Sequence, residues 1–264
     1  MTAFDPAPAA AALIARRDAR QPAGPLDPAI APRTEADAAL VQRAVASQRG
    51  VRIGGFKIGA TGARMQGYLG IDHPCGGFMA SGDIHASGVA LPYANFRNVA
   101  VECELAVRLG ADMPVAPTTP GQARAAVAEL FAAIEIVENR YGAPPIGDVK
   151  GIGTPVLVAD QFYHTACVLG APAADWQGID LLAIQGRSLM NGTQRDAGHG
   201  RDLLGDPLRG LAWLAGSDLA SAFGGLRAGQ VVMLGSVTPP VGVESPCEVQ
   251  MDFDGLPAVR LTFS

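Results

Sequence analysis

The chain reads as an α+β protein: a helical N-terminal arm followed by a mixed or antiparallel β-sheet folded around a core. Three features predict this. The first fifty residues place apolar side chains at helical spacing. After Gly50, short β-like runs follow one another between glycine-rich turns. Strands and helices do not alternate regularly, which disfavours a doubly wound parallel sheet. The expected division is an arm over 1–50 and a β-rich part over 51–264, together one folding unit. At 264 residues the chain is long enough to bury a core without disulfides or a structural metal.

The elements follow in order. Residues 7–20 are Ala-rich and predict a helix, and the proline-rich stretch 21–32 predicts an irregular connector. Thr34 offers an N-cap for a helix to about Arg49, with Ala38, Val41, Ala44 and Val45 on one face and Gly50 closing it. β-runs are expected at VRIGGFKIG, VAVECELAVRLG, AIEIVENRY, TPVLVAD, HTACVLG, DLLAIQGRSLMN, QVVMLGSV, CEVQMDFD and AVRLTFS. Two helices interrupt them, one from Thr119 to about Ala133 with Pro120 in its first turn, the other from Pro207 to about Ala222.

Composition narrows the function classes. The net charge of −5 argues against a broad basic face for nucleic acid. No apolar run approaches the roughly 20 residues of a membrane span. Cys75, Cys103, Cys167 and Cys247 form no C-x-x-C pair, so neither a zinc site nor a redox pair is suggested. Scattered single cysteines, and an N-terminus without a basic n-region, lead to the expectation of a cytoplasmic protein. Lys57 and Lys150 are the only lysines among 20 basic residues.

The strongest local signal is VAVECELAVRLG at 99–110. Alternate side chains of a strand share a face. Val101, Cys103, Leu105, Val107 and Leu109 form an apolar face, and Ala100, Glu102, Glu104, Ala106 and Arg108 the other. Two neighbouring carboxylates repel unless something neutralises them, and a divalent cation does so. A solvated strand face with two surface glutamates fits the same spacing. Glu135, between Ile134 and Ile136, would complete three carboxylates if its strand lies alongside. Oxygen-only ligation selects a hard cation such as Mg²⁺ or Mn²⁺.

Lys57 lies in GGFKIGATG, which does not match a P-loop. Its ammonium suits a substrate carboxylate or an enolate oxygen. Asp72-His73-Pro74 follows in a nearby loop, and His73 is the best general acid–base candidate of the four histidines. Gly235-Ser236-Val237-Thr238 ends an apolar run and can present N–H groups and hydroxyls to a carboxylate.

These pieces together resemble the 2-keto-4-pentenoate hydratase and 4-oxalocrotonate decarboxylase family of the fumarylacetoacetate hydrolase superfamily. The resemblance runs from about Ala9 to Ser264. It rests on D-A-x-x-x-Q at 37–42, the segment around Lys57, LGIDHP at 69–74, VECELAVRLG, IEIVENRY at 134–141, GDPLRGLAWLA, LRAGQVVMLGSVT and the terminal FDGLPAVRLTFS. The E-x-E pair, with a third glutamate 31 residues after Glu104, is its most specific element. The resemblance implies a β-rich roll, of the C-terminal-domain type of that superfamily, holding Mg²⁺ or Mn²⁺ on Glu102, Glu104 and Glu135. It implies a catalytic role for Lys57; Asp72 and His73 remain catalytic candidates on their place in the loop, with His73 suited in a hydrolase to activating the attacking water. Substrate contacts fall near Leu69 and at Tyr163, Ser236 and Thr238, and members are usually homo-oligomers.

The implied activity is hydration of a small 2-oxo or 2-hydroxydienoic acid through a metal-stabilised enolate, as in the degradation of aromatic compounds. A C–C hydrolase of an acylpyruvate, a 4-oxalocrotonate-type decarboxylase and a non-catalytic partner subunit are the alternatives. The chain departs from the family pattern at Cys75, where an acid follows the proline in typical hydratases. It departs again at Asp160-Gln161-Phe162-Tyr163-His164, where D-N-A-S-S is typical.

Overall fold

The computed structural model describes residues 4–141, 149 and 151–264; Lys150 lies outside them. Helix α1 (Ala7–Asp18) is followed by α2 (Glu35–Arg49). Thr34 and Asp37 form a reciprocal capping box on α2, and Gly50 closes it in the left-handed conformation, as the sequence predicts. Then come β1 (Ile53–Gly59), α3 (Ala63–Leu69), β2 (Cys75–Ala80), β3 (Ile84–Ala86), β4 (Val89–Leu91) and β5 (Val99–Leu109). After them lie α4 (Pro120–Ala126), β6 (Val127–Glu138), α5 (Thr154–Ala159), β7 (His164–Leu169), β8 (Gln185–Met190) and β9 (Thr193–His199). The chain ends with α6 (Pro207–Ala215), α7 (Asp218–Ala222), β10 (Val231–Ser236), β11 (Val241–Gly242), β12 (Cys247–Phe253) and β13 (Val259–Phe263).

Three expectations need correction. The helix placed over 119–133 ends at Ala126, and Val127 onward is strand. Pairing along the whole length of β5 outweighs the helix propensity of its alanines. The run at 154–160 is not a strand but helix α5, with a proline in its first turn. The single helix over 207–222 breaks at Gly216, and Ser217 caps α7. Helix α3 and strands β2, β3, β4, β9 and β11 have no counterpart in the expectation.

The larger sheet runs β2-β1-β10-β5-β6-β7-β3, with β11 on β5; the smaller runs β4-β13-β12-β8-β9. β1 and β6 are three places apart, about 14 Å in a flat sheet. Yet Lys57 of β1 and Glu135 of β6 come within 3.3 Å, so the larger sheet is curled. Its outer face carries Val101, Cys103, Leu105, Val107 and Leu109 into the main core, which also takes buried side chains of α1, α2 and the smaller sheet. Inside the curl, Met79, Ala106, Phe131, Ala133, Val231 and Met233 form a separate apolar plug. The two faces of 99–110 are therefore those the alternation predicts. The polar one faces the interior of the roll, not solvent.

Candidate metal centre

β5 and β6 pair antiparallel with Glu102 opposite Glu135 and Glu104 opposite Ala133. Directly opposed residues share a face, as do residues two apart on one strand. All three glutamates therefore point into the roll, where one ligand oxygen from each lies within 4.8 Å of the others. Glu104 and Glu135 are buried, and Glu102 is half-buried at the open edge of the cluster.

Three carboxylates this close cannot all stay charged without compensation. Burial, then the charge of Glu135, pushes Glu102 up to about 7. Burial, with Glu135 and Glu102 adding to it, carries Glu104 well above the ordinary carboxylate range, although the Gly235 N–H donates to its Oε2 at 3.0 Å. Burial also opposes the charge of Glu135, but Lys57 and His164 overcome it and hold this group below its usual value. Lys57 Nζ stands 3.3 Å and His164 Nδ1 2.8 Å from the same oxygen, Oε1. Burial works against the Lys57 ammonium too, but the three glutamates outweigh it and its proton is held more tightly than usual.

Both contacts fall on Oε1. The other oxygen, Oε2 of Glu135, is fully buried without a hydrogen-bond partner among the described residues. Leaving such an atom unpaired is costly, and native structures rarely do so without a ligand or ion. The donor set is all oxygen, as a hard divalent cation requires. These residues therefore fit a bound Mg²⁺ or Mn²⁺.

The surroundings are built for close approach. Gly235 has a φ of +111°, and a Cβ there would lie 2.7 Å from Thr61. A Cβ on Gly59 would lie 2.6 Å from Phe162, whose ring centroid is 5.1 Å from Lys57 Nζ. Phe162 belongs to a run of three non-glycine residues, Gln161, Phe162 and Tyr163, all with positive φ. Left-handed backbone costs an L-residue roughly 1–2 kcal/mol, so something must enforce it. Asp160 does: its Oδ1 accepts from Arg17 Nε at 2.7 Å, and its Oδ2 from Arg140 Nε at 2.8 Å and the Tyr141 hydroxyl at 2.9 Å. Both guanidinium groups also donate to the Asp160 carbonyl, and Arg17 reaches Gln161 Oε1. Gln42, from the D-A-x-x-x-Q run, donates to the Gly76 and Val158 carbonyls and accepts from Phe78 N–H. The Phe78 carbonyl in turn accepts from Gln161. One turn thus sets both Phe162, against Lys57, and His164, on Glu135.

The structure brings together Lys57, Glu102, Glu104 and Glu135. Thr238 is buried with its hydroxyl unpartnered among the described residues, whereas the Ser236 hydroxyl donates to the Thr238 carbonyl at 2.7 Å. Leu69 ends α3, and its carbonyl accepts from Thr154. Tyr163 packs edge-on against Tyr141 and Phe162. His73 stands 3.4 Å from Glu35 on α2, with its other ring nitrogen at the Pro74 carbonyl; Asp72 is exposed. Neither contacts Lys57 or the glutamates. His164 is the member of the site to which sequence reasoning assigns no role, although it opens a β-run. Arg17 and Asp160, 143 residues apart, carry no sequence signal that pairs them.

Comparison with known proteins accords with this geometry. Residues 72–264 match the fumarylacetoacetate (FAA) hydrolase C-terminal family. The chain is 34% identical over 216 residues to 2-keto-4-pentenoate hydratase of Burkholderia vietnamiensis, covering 81% of this chain and 79% of that one. It is 31% identical to the enzyme of the same name from Paraburkholderia phymatum over 97% of this chain and 96% of the relative. Among solved structures, 4-oxalocrotonate decarboxylase from Pseudomonas putida G7, complexed with magnesium and adipate, superposes with a TM-score of 0.88 at 24% identity, over 100% of this chain and 99% of that one. The chain belongs to the fumarylacetoacetate hydrolase C-terminal family.

Proposed function

We propose that the protein is a divalent-metal-dependent hydro-lyase acting on a small 2-oxo or 2-hydroxydienoic acid. The observation that carries this reading is the buried set of three carboxylates against one lysine, with Glu135 Oε2 left without a partner among the described residues. Glu102, Glu104 and Glu135 would hold Mg²⁺ or Mn²⁺. A bound ion of this kind supplies Lewis-acid stabilisation of negative charge developing on the substrate's carboxylate and 2-oxygen.

The chain's own residues orient and protect. Lys57, 3.3 Å from Glu135, serves as a cation and donor beside the developing charge. His164 and Lys57 together lock the orientation of the Glu135 carboxylate. Phe162 and the apolar plug inside the curl keep water off that side of the site. Thr238, with its unspent hydroxyl, is the best-placed donor of the Gly-Ser-x-Thr run; Leu69, Tyr163 and Ser236 complete the proposed substrate contacts. His73, engaged with Glu35, and Asp72, which is exposed, are left out of the chemistry. We also assign the protein to the cytoplasm as a homo-oligomer, with the arm and the β-rich part folding together. The bonds of Arg17 and Gln42 to the β-rich part support the last point.

The test is product analysis with a 2-hydroxydienoic acid and Mn²⁺. A single 4-hydroxy-2-oxo acid is the expected product, and Glu104→Gln should lower turnover by about 10²-fold or more while weakening Mn²⁺ binding in calorimetry. Pyruvate plus a second acid from an acylpyruvate would instead make it a C–C hydrolase, and release of CO₂ a decarboxylase. Neither turnover nor Mn²⁺ binding would leave a non-catalytic partner subunit.

A further inference from the structure

An open cleft of about 1120 Å³ lies beside the carboxylate chamber and is separate from it. His164 stands in its wall, whereas Lys57 and the three glutamates do not. Its arginines come from four stretches far apart in sequence. Arg16, Arg17 and Arg20 come from α1 and the residues just after it, Arg49 and Arg52 from the α2–β1 connection, Arg97 from the segment before β5, and Arg140 from just beyond β6. Seven of the chain's 20 basic residues therefore line one cleft, in a protein of net charge −5.

The wall holds three carboxylates, on Asp18, Asp83 and Glu138, and Asp160 lies behind Arg17 and Arg140. Against these four, the seven guanidinium charges leave three uncompensated. Burial moves Asp83 towards its neutral form, which widens the imbalance.

Three of the guanidinium groups are also underused among the described residues. Each offers five donors in a planar fork. Arg20 spends one on the Ala94 carbonyl, Arg52 one on the Ser81 hydroxyl and Arg97 one on the Arg20 carbonyl, and all three side chains are exposed. Forks of this kind match carboxylate and phosphate oxygens in pairs. The volume is of the order of a small-molecule site, and the basic surface is confined to a cleft and does not form a stripe, which does not suit nucleic acid.

We propose that this cleft binds a small oxyanion carrying two or more negative charges on carboxylate or phosphate groups, at a site separate from the carboxylate chamber. The test is calorimetric titration with inorganic pyrophosphate and, in parallel, with citrate. The protein is first stripped of metal on a chelating resin, so that no soluble chelator competes. Saturable one-to-one binding is expected, weakening as salt is added. Arg52→Ala and Arg97→Ala should each weaken it about tenfold or more. Arg195→Ala, on the exposed face of β9, and Glu104→Gln should leave it within twofold. The tighter of the two probes identifies phosphate or carboxylate as the preferred group. Absence of saturable binding by both probes would overturn the proposal, as would unchanged affinity in the Arg52→Glu/Arg97→Glu double variant with an unaltered melting temperature. A change in that variant's mass by light scattering, with no anion bound by the parent, would make the cleft a protein contact and would also overturn it.

Discussion

Two buried charge clusters sit side by side in this protein and are finished to different degrees. Around Asp160, two arginines and a tyrosine satisfy both carboxylate oxygens and the backbone carbonyl, and despite burial Arg140 and Arg17 hold the acid below its ordinary range. Around Glu135, three carboxylates share one lysine and one histidine. Two of those acids are pushed upward, and one buried oxygen has no partner among the described residues. The first cluster is complete and works as a clamp on the Gln161–Tyr163 turn. The second is complete only with a further positive charge, and that difference marks it as the binding centre.

The comparison can be broken most severely at the clamp. Asp160→Asn leaves two guanidinium groups facing each other without their carboxylate, and a loss of about 3–5 kcal/mol is expected, measured by urea denaturation. Glu104→Gln, in the unfinished cluster, should leave the stability of the metal-free protein unchanged or higher, because it removes a repulsion. Equal destabilisation by both would erase the distinction. A milder change is Arg17→Ala, which loosens the clamp from the arm while Arg140 still holds Asp160. The turn then controls Phe162 and His164 less tightly. The rate should fall by about tenfold or more with Mn²⁺ affinity within twofold, and Arg17→Lys should recover only part of it because an ammonium cannot reproduce the fork. Equal losses in rate and Mn²⁺ affinity would place the clamp's effect on the metal ligands instead.

The smallest effect is in pH dependence, and the two clusters give it opposite signs. Glu102 binds its proton more tightly folded than unfolded. Its contribution to metal-free stability is therefore greatest in acid and declines as pH rises from the ordinary carboxylate range to about 7. Asp160 binds its proton less tightly folded, so its contribution is present at neutral pH and is lost only as pH falls below the ordinary aspartate range. Denaturation from pH 5 to 8 should show the Glu102 decline without metal and its suppression by Mn²⁺, which takes the proton's place. A decline of the same size with Mn²⁺ bound would mean that Glu102 is not a ligand.

Much of this was legible in the residues. Alternation along 99–110 assigned the core face and the carboxylate face, and Glu135 stood out as an acid between isoleucines. The Thr34 and Gly50 caps bounded α2 to the residue. Reading failed where distant pairing outweighed local preference. The stretch after Ala126 is helix-prone by composition, yet it becomes strand because β5 pairs along it. Gln161, Phe162 and Tyr163 are residues that avoid positive φ, so no turn signal advertised their conformation.

By itself, then, the sequence determined which side chains could share a face, because a strand's two-residue period is a local property of the backbone. It also supplied an acid-rich, lysine-poor chemistry for that face. Tertiary structure alone decided that the face would turn inward, that Lys57 would cross three strand spacings to meet Glu135, and that an arginine from the arm would grip Asp160. Curling a sheet and docking a helix depend on contacts among residues far apart in the chain, and no local pattern encodes them.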